Sequence, residues 1–249
     1  MRVLLSALAG LITCMSLPAA IHDAFSLLVS GDAVLWEIIW ISLKTSASAM
    51  LLATPFAVAA GYLIGTRSFA GRRAVIWLTQ AALSLPTVLI GLVLYLTLSR
   101  QGPLGNLHWL FTQPGIIAGQ VLLVLPLLVA LTLAAVQAAD PRLAETAIAH
   151  GASDWRVMTT LLYEVRFGVM AAVINGFGRV ISEVGCALMV GGNIAGETRT
   201  ITTAIALETS RGDFAQGIAL GIVLIVIALV INAGLMLIQG EAHSSIGTR

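Results

Sequence analysis

Residues 116–138 read IIAGQVLLVLPLLVALTLAAVQA, a run with no charged side chain. At about 1.5 Å of rise per residue, a helix of this length covers the roughly 30 Å of hydrocarbon in a bilayer. Lipid offers no water to an exposed peptide group, so a spanning segment closes its hydrogen bonds within a helix. Four further stretches are long and apolar enough to cross in the same way: 36–64, 75–98, 168–190 and 217–238. The chain is 58% hydrophobic and 10% charged, whereas a soluble domain carries about 25% charged residues. A soluble helical bundle would need polar outer faces, which none of these segments has. The expected fold is an all-α membrane protein, a polytopic bundle of five to six transmembrane helices.

The sixth candidate, 3–20, is shorter, with Arg2 before it and Ser-Leu-Pro-Ala-Ala within 16–20. It reads as a membrane helix, as a signal peptide, or as residues upstream of a start at Met15. We therefore divide the chain into an N-terminal apolar segment (1–30), a transmembrane domain (31–240) and a short tail (241–249). A tail this short is expected to carry no added regulatory domain.

Arginines set the orientation. Arg67, Arg72 and Arg73 share one loop, and Arg142, Arg156 and Arg166 lie in or beside another. Loop 99–115 has only Arg100, and in 191–216 Arg199 and Arg211 are balanced by Glu197, Glu208 and Asp213. The arginine-rich loops are expected in the cytoplasm. With six crossings, the C-terminus then also faces inward. The net charge of +1 excludes a basic surface for nucleic acid. Cys14 and Cys186 lie in apolar runs without ligand spacing, so no disulfide framework or metal site is expected.

Next to the opening stretch, residues 140–166 read DPRLAETAIAHGASDWRVMTTLLYEVR. Asp140 caps a helix with Pro141 in its first turn, Gly151 breaks it, and Ser153 or Asp154 caps a second one. Two short amphipathic helices joined at a glycine can insert into a groove on a soluble partner.

Here the chain resembles the permease subunits of ATP-binding-cassette importers, whose cytoplasmic loop carries a Glu-Ala-Ala, three residues, Gly pattern. The matching positions are Glu145, Thr146 in place of one alanine, Ala147 and Gly151, followed by Ala152, Ser153 and Trp155. The resemblance implies that this loop docks on an ATPase subunit. It covers about residues 25–239 and includes SLKTSASAM (42–50), GTRSFAGRR (65–73), LSLPTVLIGLVLY (83–95), GPLG (102–105) and the block from 178 to 214 beginning GRVISEVGCALMVGGNIAGETRTITTAI. These stretches look like the oxyanion branch of the family, and the last block most resembles tungstate importers, ahead of molybdate and sulfate ones. The resemblance further implies a homodimer, a separate ATPase that binds ATP and Mg, an extracytoplasmic substrate-binding protein, and a bacterial or archaeal plasma (inner) membrane location. The chain itself binds no cofactor in this reading, and it lacks the Gly-x-x-x-x-Gly-Lys-[Ser/Thr] loop of an ATPase.

Within span 168–190, Arg179 and Glu183 stand four apart with Ser182 beside them. A charge at the bilayer centre costs at least about 2.5–3.5 kcal/mol, so they either pair to fix helix packing or line a watery path for an anion. Gly191, Gly192, Asn193 and Gly196, with Thr198, Thr200, Thr202 and Thr203, supply backbone and hydroxyl donors just beyond. They suit an oxyanion's lost water shell, or form an outer loop that touches the binding protein. Lys44 reads as snorkelling. Two other classes fit less well: a gradient-driven transporter would show internal repeats of interrupted helices, and an intramembrane enzyme would show His-Glu-x-x-His or Gly-x-Ser-x-Gly.

Overall fold

The structure is a computed structural model that describes Ser26 and residues 30–244. The 3–20 segment, Cys14, the alternative start at Met15 and the last residues of the tail lie outside the described residues. Among the described residues there is no strand.

Helix α1 (Ala33–Thr66) begins at Asp32, whose carboxylate accepts from the amides of Val34 and Leu35 at 2.8 and 3.0 Å. Its far end is closed by a side chain of the next helix. Arg72 donates from Nε to the Ile64 carbonyl (2.7 Å) and from Nη2 to that of Gly65 (3.3 Å), a cation placed on the negative end of a helix. Helices α2 (Arg72–Leu83) and α3 (Thr87–Leu98) follow. The expected single span over 75–98 is instead bent by 99° between them. Pro86 lacks an N–H and pushes Leu85 out of the helical region, so the chain turns there.

A short 3-10 turn (Gly105–Leu107) leads to α4 (Gln113–Gln137), which contains the opening stretch. Alanines 49, 53 and 57 and Met50 of α1 pack on Val124, Leu128 and Val129 of α4. Gly61 and Gly65 lie on the same seam. A Cβ on either would come within 2.7 Å of Thr132 or Val136, so this glycine pair brings two backbones together.

Next come α5 (Pro141–Ala149), α6 (Asp154–Glu164), α7 (Arg166–Ile181), α8 (Gly185–Gly191), α9 (Ile201–Arg211) and α10 (Phe214–Ser244). The expected span over 168–190 is also not one helix: α7 stops at Ile181 and a separate seven-residue α8 starts at Gly185. Three helices, α1, α4 and the 214–231 part of α10, are long and apolar enough to cross a membrane, or up to five spans if α2–α3 and α6–α7 each count as one. A second core joins Leu35, Ile38 and Ile39 to Ile201, Ala204, Ala219 and Leu220, so α9 and α10 close against the first half of α1.

Candidate functional site

At the arginine-rich end, α5 and α6 form the helix pair expected from the sequence. Asp140 accepts from the Arg142 amide at 2.9 Å, and Gly151 turns the chain at φ +77°, a conformation that costs glycine nothing. Ser153 is the N-cap of α6, although its hydroxyl makes no capping bond. Leu161, with Val165 just after it, seats α6 against Tyr62 and Val136 through a small core, and Arg67 pairs with Asp154 at 3.3 Å across an exposed surface. The rest of the pair faces outward: Glu145 and Ser153 are exposed, Ala147 and Ala152 half-buried, and Ile148 and Trp155 are 62% and 68% exposed. Between this pair and the end of α1 lies an open cavity of about 530 Å³ lined by Tyr62, Arg67, Ile148 and Trp155 among others. The pair is thus anchored by one face, and its large apolar side chains are left for something else to cover.

The break between α7 and α8 carries the charged residues. Glu183 is buried, its side chain only 3% exposed, while Arg179 is 49% exposed. Their closest atoms are 3.9 Å apart. The Glu183 carboxylate is committed elsewhere: Oε1 accepts the Cys186 amide at 3.0 Å, taking the place of the helical carbonyl that the break removed. Thr202 of α9 donates to the Glu183 backbone carbonyl at 2.6 Å. Residue 183 is therefore the knot that holds the break, and it offers no free carboxylate to a passing ligand. Arg179 and Ser182, by contrast, face outward together with Asn175. At i, i+4 and i+7 these three form one polar stripe on α7. Asn175 was not singled out from the sequence, though its position four before Arg179 was the available signal.

The turn after α8 is tightly built. Thr198 donates to the Gly191 carbonyl (2.6 Å) and accepts from the Ile194 amide (2.9 Å). The Ile194 carbonyl in turn accepts from the amides of Glu197, Thr198 and Arg199. Gly192 has φ +70°, and a Cβ there would lie 2.7 Å from the Phe111 ring. Phe111 also donates its amide to the Val190 carbonyl at 2.8 Å. The threonines expected as free donors are mostly occupied: Thr200 and Thr203 cap α9 reciprocally, and Ser42 of α1 receives the Ile201 amide at 2.7 Å.

Among the described residues, four buried side-chain atoms lack a partner: Gln120 Oε1, Thr132 Oγ1, Asn193 Oδ1 and Arg199 Nε. Gln120 sits on α4 between Ile116, which packs at Gly191, and Val124, which packs at Gly176. It is therefore level with the α7–α8 break, a placement that periodicity alone does not give. Cys186 is free and buried, and no group of three or more His, Cys, Asp or Glu among the described residues could hold a metal ion.

These features agree with the chain's similarity to known proteins. It is 37% identical over 218 residues to the tungstate uptake system permease protein TupB of Peptoclostridium acidaminophilum, covering 88% of this chain and 96% of that one. It is 38% identical over 210 residues to TupB of Campylobacter jejuni (84% and 88%), and 38% over 198 residues to a probable anion ABC transporter permease protein of Haloferax volcanii (78% and 85%). The crystal structure of a bacterial alginate ABC transporter, in complex with an alginate-bound periplasmic protein, contains a chain of the same fold: TM-score 0.70, 22% identity, covering 94% of this chain and 91% of that one. Residues 57–241 match the model of the binding-protein-dependent transport system inner membrane components, and the chain belongs to that family of membrane transport proteins.

Proposed function

We propose that this chain is the path-forming permease subunit of an ATP-driven importer for a tetrahedral oxyanion, and that the anion is tungstate. The observation that carries this reading is the 37–38% identity to two tungstate permeases over 84–88% of the chain. The site chemistry fits it: the exposed polar stripe of α7 holds the Arg179 guanidinium and no exposed carboxylate, so it attracts an anion and does not repel it, while Asn175 and Ser182 beside it donate to the carbonyls of Ala171 and Gly178 at 2.8 Å. In this reading two copies enclose the path. The α5–Gly151–α6 pair, with Glu145, Ala147, Ala152, Ser153 and Trp155, docks on an ATPase subunit that binds ATP and Mg. The loops at the opposite end receive a substrate-binding protein. The arginine-rich loops and the C-terminus lie in the cytoplasm of a bacterial or archaeal cell.

The test is uptake into liposomes by the chain reconstituted with its ATPase and binding protein, with tungstate, molybdate and sulfate in competition. ATP-dependent tungstate uptake that resists excess molybdate is the expected result. Uptake without ATP that collapses with an ion gradient would assign the chain to gradient-driven transport instead.

A further inference from the structure

The turn that follows α8 holds two of the four unpartnered buried polar atoms among the described residues, Asn193 Oδ1 and Arg199 Nε. They belong to one small structure, because the Arg199 amide bonds the carbonyl of Ile194, the residue after Asn193, at 2.9 Å. The turn also stands beside the α7–α8 break: Thr202, three residues beyond Arg199, bonds the Glu183 carbonyl at 2.6 Å. Among the described residues no carboxylate oxygen lies within 4.0 Å of Arg199, whereas Arg179 stands 3.9 Å from Glu183 and Arg211 3.2 Å from Glu208.

A buried guanidinium N–H without an acceptor is costly, and a side chain that keeps such an atom in a fold otherwise well paired at this turn is set for an acceptor from outside. The amide of Asn193 in the same turn has the matching chemistry, since a flip of its plane exchanges Oδ1 for Nδ2 and puts an N–H where the unpartnered oxygen stands. Asn193 is held in the left-handed region, at φ +54°, by the hydroxyl of Thr198 on either side of the turn.

We propose that Arg199 and Asn193 form an oxyanion-binding step at the end of α8, separate from the Arg179–Ser182 stripe, where a tetrahedral dianion is first stripped of water. Arg199 supplies the charge and a forked donor set, and Asn193 supplies a neutral donor. This rests on the oxyanion-importer reading and names residues that reading did not include or did not separate.

The test compares wild type, Arg199→Gln, Arg199→Lys and Asn193→Gly in the reconstituted complex, reading uptake of tungstate, molybdate and sulfate, and the shift in melting temperature that each anion produces without the binding protein. Asn193→Gly removes the amide while suiting the left-handed backbone. Arg199→Gln is expected to lose about tenfold or more of uptake and the anion-induced shift, as for a lost charge-assisted hydrogen bond. Arg199→Lys should retain part of both, because it keeps the charge without the fork, and Asn193→Gly should lose several-fold in uptake. Wild-type uptake and shift in Arg199→Gln overturn the proposal. So do equal losses in the Lys and Gln variants with a lowered melting temperature and an undiminished anion shift, since these mark a structural role. Should Arg199→Gln fail to assemble, wild-type uptake in Asn193→Gly overturns it. A wild type that carries none of the three anions overturns the importer reading itself, and this inference with it.

Discussion

At the scale of single residues, Glu183 illustrates how a charge in an apolar run can serve the backbone. Its carboxylate replaces a missing helical carbonyl at the Cys186 amide, so the two properties of the side chain can be separated. Glu183→Ala leaves that amide unpaired and should lower stability by about 1–3 kcal/mol. Glu183→Gln keeps an acceptor in place and should cost less. Thermal unfolding of the detergent-solubilised chain measures both, and equal losses would mean that the pairing with Arg179 carries the weight. Gly192 offers a sharper case. With φ +70° and the Phe111 ring 2.7 Å from a would-be Cβ, Gly192→Ala combines backbone strain with a clash, an expected loss of about 1–3 kcal/mol by the same measurement.

At the scale of elements, the sequence was most informative where local chemistry decides. The Asp140–Pro141 start and the Gly151 break produced the α5–α6 pair as read, because a cap, an N1 proline and a glycine act within a few residues. The apolar runs marked which segments enter the membrane but not where they break. The 99° bend at Pro86 carried a visible signal that reads equally as a kink. The break at 182–184 has no proline at all, and it is made by Glu183 and by Thr202 from a different helix. Such long-range substitution for backbone bonds leaves no periodic trace. Arg179 and Glu183 were legible as charges in an apolar run, whereas their separation into an exposed Arg179 and a buried Glu183 was not. For the helix pair, nothing lies within 4 Å of a Cβ on Gly151. Gly151→Asp therefore meets only the left-handed backbone, a cost of about 1 kcal/mol. It should leave the spans folded while changing the angle at which α6 leaves α5. Uptake is expected to fall and ATP hydrolysis to lose its dependence on substrate; unchanged uptake would remove the coupling role from this pair.

At the scale of the molecule, Arg67, Arg72, Arg73, Arg142, Arg156 and Arg166 gather in the two loops flanking α1, α4 and α7, and the turn bearing Arg199 lies with the 99–112 loop through the Phe111 contacts. With Cys14 and Cys186 replaced by serine, a cysteine at Ser153 should resist a membrane-impermeant maleimide in intact cells, and one at Glu197 should react. The reverse pattern would invert the assigned orientation. The joint between Phe111 and Gly192 also has a genetic side. It connects positions 81 apart in sequence (192 − 111), and bulk on one side is possible only because the other has none. Heritable change must then treat the two as a single locus. Second-site revertants of a Gly192 substitution should arise at 111 as smaller side chains, and in company with them an alanine at 192 should keep only its backbone strain and lose its clash.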